Sequence, residues 1–235
     1  MDVRSIELPL GAALRLQSRS ARVHVIAEDR TDVQAETDNV EWFTDAQAGL
    51  LSVRSSRGGS KPLTVRCPLD TDVSVGTQSG AVKLEGTFGS VSVTTMSGDI
   101  DVDTAEDADL RSMAGKLSIR TCHGRCRMQA VSGTLTAGDL DNVAAGTISG
   151  SIKFGRVMGD IRAKTVSGSI EFASLGDGNI AVKTVSGKVH IALPPGTEPQ
   201  TLFKTRGHVT CQFPQGRDCR IEAASLSGSI EVVPQ

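Results

Sequence analysis

The sequence predicts an all-β chain, a right-handed parallel β-solenoid (β-helix) of about nine regular coils of 17 to 21 residues behind an irregular N-terminal cap. Three observations predict it. A Thr-x-Ser-Gly-x-Ile-x-Val motif recurs through most of the chain, apolar and polar residues alternate after each motif glycine, and 25 Gly accompany six Phe, one Trp and no Tyr in 235 residues. The last of these points to many tight turns around a core of small aliphatic side chains.

Aligned on Gly80, Gly98, Gly115, Gly133, Gly150, Gly168, Gly187, Gly207 and Gly228, the copies step by 17 to 21 residues, and Ser precedes Gly in seven of nine. Two residues after each Gly stands a branched aliphatic, from Val82 and Ile100 to Val209 and Ile230, and four after it an apolar residue such as Leu84, Phe154, Phe172 or Cys211. Polar residues such as Lys83, Asp101, Lys153 and Glu171 lie between them. Apolar residues at every second position mark a strand with one buried face. A second strand follows half a period later, as in Gly159-Asp160-Ile161-Arg162-Ala163 and Gly178-Asn179-Ile180-Ala181-Val182, and Leu175 between them is expected to point inward. Strands this short bury their apolar sides only when coils stack and pair in parallel, about 4.8 Å apart, so nine coils predict a rod about 45 Å long. The glycine is expected at a corner that needs φ > 0, and the serine beside it in a hydroxyl ladder.

Residues 1–60 are less regular, but 21–25, 32–35 and 51–54 still alternate and predict degenerate first coils acting as a cap, with Trp42 and Phe43 plugging that end. The polar stretch Ser55-Ser56-Arg57-Gly58-Gly59-Ser60 predicts a loop. Residues 61–235 carry the regular repeats, continuous with the cap in one domain. The final alternation, Ile230-Glu231-Val232-Val233, predicts a last strand at the C-terminal end of the array, a row of unpaired backbone groups through which a homo-oligomer can form.

With 25 Lys and Arg against 27 Asp and Glu, the formal charge of -2 gives no long-range field for nucleic acid or an anionic membrane. No nucleic-acid partner and no membrane insertion are expected. No run of about 18 apolar residues occurs, and the N-terminus lacks a secretory pattern, so the chain is expected to be cytoplasmic. Five cysteines, an odd number at positions 67, 122, 126, 211 and 219 without recurring spacing, are expected as reduced thiols.

Chemistry-bearing clusters are few. Cys122-His123-Gly124-Arg125-Cys126 has the composition of a metal or redox motif, but register places its sulfurs at inward positions, with Cys122 aligned on Leu175, and all five cysteines are expected as small core residues. Asp99, Asp101, Asp103, Glu106, Asp107 and Asp109 are the densest acidic stretch. Three of them share one strand face, where they can hold Ca²⁺, serve polysaccharide cleavage, or form a solvated acidic face, the last being the expectation. His190 and His208 are expected at the surface, and Gly176-Asp177-Gly178 is read as a turn because no helix follows it. No catalytic, cofactor-binding or metal-ligating residue is assigned.

The run Thr165-Val166-Ser167-Gly168-Ser169-Ile170-Glu171-Phe172, with echoes at Thr147-Ile148-Ser149-Gly150 and Thr184-Val185-Ser186-Gly187, resembles the bacterial β-strand-repeat family labelled putative adhesin, a domain of unknown function. The early segment Val25-Ile26-Ala27-Glu28-Asp29-Arg30-Thr31-Asp32-Val33 is similar to actinobacterial members. The resemblance implies a parallel β-helix fold and supplies no catalytic or ligand residues. The expected function is a non-enzymatic scaffold or binding module for a protein or polymer partner that the sequence does not identify. The alternatives are a self-assembling β-helix and a polysaccharide lyase or hydrolase.

Overall fold

The computed structural model describes residues 3–7, 13–36, 40–45, 50–55, 62–176 and 178–235. The side chains of Trp42 and Phe43, residues 56–60 of the expected loop and Asp177 lie outside the described residues. The chain is an all-β solenoid that forms two compact units, residues 1–120 and 121–235. Among the described residues no helix is long and apolar enough to cross a membrane.

The first unit contains β1 (Val3–Glu7), β2 (Ala13–Ser18), β3 (Val23–Glu28), β4 (Asp32–Glu36), β5 (Val40–Asp45), β6 (Leu50–Ser55), β7 (Leu63–Pro68), β8 (Asp72–Thr77), β9 (Val82–Thr95) and β10 (Ile100–Ala114). The strands form two ladders, and the long strands β9 and β10 run through both. In ladder A the order is β1–β4–β7–β3–β9–β10, and in ladder B it is β5–β6–β2–β8–β9–β10. The β2–β3 coil therefore sits between the β6–β7 and β8–β9 coils, which are consecutive in sequence. Where parallel first coils are expected, β1, β4 and β5 instead pair antiparallel. For β5 the reason is local: only four residues join it to β6, and a link that short returns the chain antiparallel, whereas parallel strands need a longer crossover.

β11 (Leu117–Ser132) runs across the boundary between the units. The second unit continues with β12 (Leu135–Ser149), β13 (Ile152–Val157), β14 (Ile161–Ser167), β15 (Ile170–Ser174), β16 (Ile180–Ser186), β17 (Val189–Leu193), β18 (Gln200–Thr205), β19 (Val209–Cys211), β20 (Arg220–Ser227) and β21 (Ile230–Pro234). Ladder A runs β12–β13–β15–β17–β21–β19 and ladder B runs β12–β14–β16–β20–β18, all parallel. The last strand is thus not at the end of the array: β21 lies between β17 and β19, and β20 lies between β16 and β18. A homo-oligomer built on an open C-terminal coil would have to use β18 and β19. Copy quality explains the inversion. The final copy, Ser225-Leu226-Ser227-Gly228-Ser229-Ile230, keeps the motif and fits an interior place, while Thr205-Arg206-Gly207-His208-Val209 has lost it. The inward residues of that outer coil, Phe203, Val209 and Cys211, are only half-buried.

Inside the coils, one residue per copy fills each core row. Ile152, Ile170, Val189 and Ile230 stack in ladder A, and Ile161, Ile180 and Ile221 in ladder B, each at most 1% exposed. Full burial of such a side chain contributes about 1.5–3 kcal/mol, so repetition supplies the core that no single coil has. Leu175 turns outward, contrary to expectation, because a register shift between Lys153 and Arg156 puts Ser174 opposite Val157. Ser174 is completely buried and Leu175 is 36% exposed.

In the first unit the corner of the repeat is tied by its threonine and glycine. Thr77 and Thr95 are buried and accept hydrogen bonds from the backbone N–H of Gly80 (3.1 Å) and Gly98 (3.0 Å), while the motif serines are mostly exposed. The interior hydroxyl row is thus threonine, and the expected serine contact to a neighbouring coil is made at Ser97, whose Oγ donates to the Gln78 carbonyl at 3.4 Å. Gly168 has φ 145°, and a Cβ there would lie 1.9 Å from the Gly150 carbonyl oxygen. Close stacking of corners, as well as positive φ, excludes any larger residue.

Candidate functional site

The two ladders of the second unit turn different surfaces to solvent. On ladder A the outward residues Lys153, Glu171, His190 and Glu231 follow one another across the coils. Their charges close on each other. Lys153 Nζ is 3.4 Å from Glu171, Arg156 makes a two-pronged contact with Asp139 at 2.7 and 2.8 Å, and Glu231 receives Lys188 at 2.8 Å and His190 Nδ1 at 3.4 Å. The hydrogen bond from Lys188, aided by His190, holds the Glu231 carboxyl below its ordinary range, and the hydrogen bond from Arg156 does the same for Asp139.

On ladder B the outward positions read otherwise. The residue between the motif Thr and Ser is aliphatic in coil after coil: Ile148, Val166, Val185 and Leu226 are neighbours in the ladder, and Val131 adjoins Ile148, whose preceding Thr147 Oγ1 donates to the Val131 carbonyl at 3.5 Å. All five are 43–55% exposed. Two positions upstream, Lys164 and Lys183 stand in register, and Arg162 lies two residues before Lys164. Among the described residues none of Arg127, Arg162, Lys164 and Lys183 makes an ion pair, and the nearby Glu222 is taken by Arg220. In the first unit the same row holds Gln78, Met96 and Met113, and the cation beside it, Arg111, is engaged by Asp109. Charge is divided likewise: residues 1–120 carry 18 Asp and Glu against 13 Lys and Arg, residues 121–235 carry 9 against 12. A formal charge of -2 conceals this division, which is why the sequence total gave no sign of a cationic face.

The acidic stretch does not converge. Asp99 accepts the Lys116 N–H at 2.8 Å, Asp103 accepts the Gly86 N–H and pairs with Arg120, and Asp109 pairs with Arg111. Among the described residues no group of His, Cys, Asp and Glu is arranged to hold a metal ion. Cys67, Cys122, Cys126 and Cys219 are buried, as register predicts, and all five cysteines are thiols. Cys211 departs from the expectation because the outer strand β19 leaves it half-buried. Burial pushes the Cys67 thiol up to about 11, which makes it an inert core group. By motif spacing Cys122 corresponds to Leu140, whose row runs through Val157 to Ser174 rather than to Leu175, by the register shift between β13 and β15. His208 is exposed, while His190 is half-buried beside Glu231. A structural device that sequence reasoning missed is the Asx row before the ladder B strands: Asn142 accepts the Asp160 N–H at 3.1 Å, and Asp160 accepts the Asn179 N–H at 2.9 Å. Its signal was the Asp or Asn that precedes Val143, Ile161 and Ile180.

Two solved structures resemble this chain along almost its whole length. A "putative adhesin" from Bacteroides fragilis NCTC 9343 matches with TM-score 0.50 at 12% identity, covering 98% of this chain and 96% of that one. A "putative adhesin" from Parabacteroides distasonis ATCC 8503 matches with TM-score 0.49 at 10% identity, covering 98% and 97%. At 12% identity the likeness to the Bacteroides fragilis structure shows the fold alone. No curated protein matches the chain. The family model described as Toastrack DUF4097 matches residues 32–234, nearly all of the solenoid described above, and the chain belongs to that family.

Proposed function

We propose that the protein is a non-enzymatic, adhesin-like binding scaffold whose contact surface is the outer face of ladder B in the second unit. The observation that carries the reading is the exposed row Val131, Ile148, Val166, Val185 and Leu226 beside cations that have no ion pair among the described residues. Apolar side chains scattered singly over a surface need no explanation, but a contiguous row with an adjoining charged border is the pattern of an interaction site. The coil stack holds it rigid, so weak contacts repeated from coil to coil add without an ordering cost. A reducing, cytoplasmic setting belongs to the same reading, on the odd number and irregular spacing of the five cysteines. Polysaccharide cleavage has no observation behind it, because Asp99, Asp103 and Asp109 are spent on backbone and Arg contacts.

The test is retention of the full-length protein on a sedimented bacterial envelope fraction. A ladder B double variant, Val166→Asp with Val185→Asp, is expected to lose retention at least tenfold, while Lys153→Ala on ladder A leaves it unchanged. Equal retention of both variants would remove the assignment of the face.

A further inference from the structure

We infer that the outer face of ladder B in the second unit docks on an anionic lipid bilayer. The inference rests on the scaffold reading above and names the partner class for the same surface. The five aliphatic side chains, one per coil at a spacing of about 4.8 Å, make an apolar line about 20 Å long. Lys164 and Lys183 flank it in register, with Arg162 and Arg127 further along the same face. Lys164 and Lys183 carry like charges on backbone positions one strand spacing apart, and an external anion lowers their repulsion.

The partner's chemistry follows from what the surface has and what it lacks. It has long, flexible cationic side chains beside short aliphatic ones. Where the aliphatic row meets the boundary between headgroups and acyl chains, Lys and Arg stems can lie along the surface and carry their charge back to the phosphates. Four cations on one face fall in the range that attracts anionic lipid. A folded protein partner would need fixed polar anchors to set its register, but the residues interspersed here are small or weakly directional: Ala144, Gly146, Ala181, Ala224 and the exposed serines 149, 167 and 186. A fluid array of phosphates needs no register. The face also has an orientation built in. The outer face of ladder A neutralises its own charge through Lys153–Glu171, Arg156–Asp139 and Lys188–Glu231, so one side of the unit is drawn to an anionic surface and the other is not.

The experiment is co-sedimentation of the full-length protein with vesicles of phosphatidylcholine containing one quarter phosphatidylglycerol, against vesicles of phosphatidylcholine alone. Binding to the anionic vesicles, at least tenfold weaker to the neutral ones and falling as salt rises, is expected. Lys164→Glu with Lys183→Glu should reduce binding at least tenfold, and so should Val166→Asp with Val185→Asp. Lys153→Ala should bind as the wild type does, and circular dichroism with a thermal midpoint checks that every variant is folded. Glycerol phosphate and inorganic phosphate in millimolar excess should leave binding unchanged; full competition by either would make this a phosphate site and overturn the bilayer inference. Absence of binding to anionic vesicles, or equal binding by wild type and both ladder B variants, would also overturn it. If vesicle binding is absent while envelope retention persists and depends on the same face, lipid falls as the partner and the scaffold reading stands. If the ladder B variants keep envelope retention as well, that reading falls with it.

Discussion

The two outer faces of the second unit come from the same alternation of strand residues, yet one closes its charges and the other leaves them open. On ladder A the register that stacks the core also brings Lys153 onto Glu171 and Arg156 onto Asp139. On ladder B the same stacking brings Lys183 onto Lys164 and Val185 onto Val166. In a parallel solenoid each side chain meets its own equivalent in the next coil, so sign alternation between copies neutralises a face and sign repetition charges it. The first kind of face looks after its own electrostatics. The second is completed by something outside the molecule.

The largest effect comes from breaking what joins the two faces. Gly168→Ala places a methyl group 1.9 Å from the Gly150 carbonyl oxygen at φ 145°, so the corner must open. The expected loss is more than about 3 kcal/mol in the denaturant-derived unfolding free energy, and both faces go with it. A smaller change sharpens the contrast. Lys164→Glu gives Lys183 an in-register partner and turns part of face B into a copy of face A; stability in the same denaturation measurement is expected to stay within about 0.5 kcal/mol, because the new pair is a surface one. The smallest effect is that of acid on face A. The carboxyls of Glu231 and Asp139 are held below their ordinary values, so the stabilisation they give is present above the ordinary carboxylate range and lost as pH falls below it, through their lowered values. Urea midpoints measured between pH 7 and pH 3 should fall less steeply for Glu231→Gln than for the wild type, since that variant has lost one of the two groups before the titration begins.

Most of the fold was legible in the sequence, for reasons the repeat makes plain. A period near 18 with aliphatics two and four residues after Gly leaves one way to bury them, and the rows headed by Ile152 and Ile161 stand where the alternation puts them. Two things were not legible. A register shift of a single residue in β13 and β15 exchanged Ser174 for Leu175, and no side-chain pattern announces a bulge when both candidates are of a size to fit. Chain order also misled at both ends. Spatial order follows how well each copy fits between neighbours, so the intact copy at 225–230 lies inside the degenerate copy at 205–211. The candidate face was written in the motif all along, as the residue between Thr and Ser. It escaped notice because attention to the buried rows makes an exposed position look like filler, and because a nearly neutral total charge hides two units of opposite sign.

The tucked ends bear on how the chain is made. Residues 200–211 leave the ribosome before residues 220–234, yet β18 and β19 pair only with strands that come after them. When β16 and β17 are complete, the next strands to emerge are not the ones that belong on their edge. Vectorial zippering, coil by coil from the N-terminus, can therefore run through β17 and no further. The outer coil must wait for β20 and β21, so the second unit can close only after residues 220–234 have emerged.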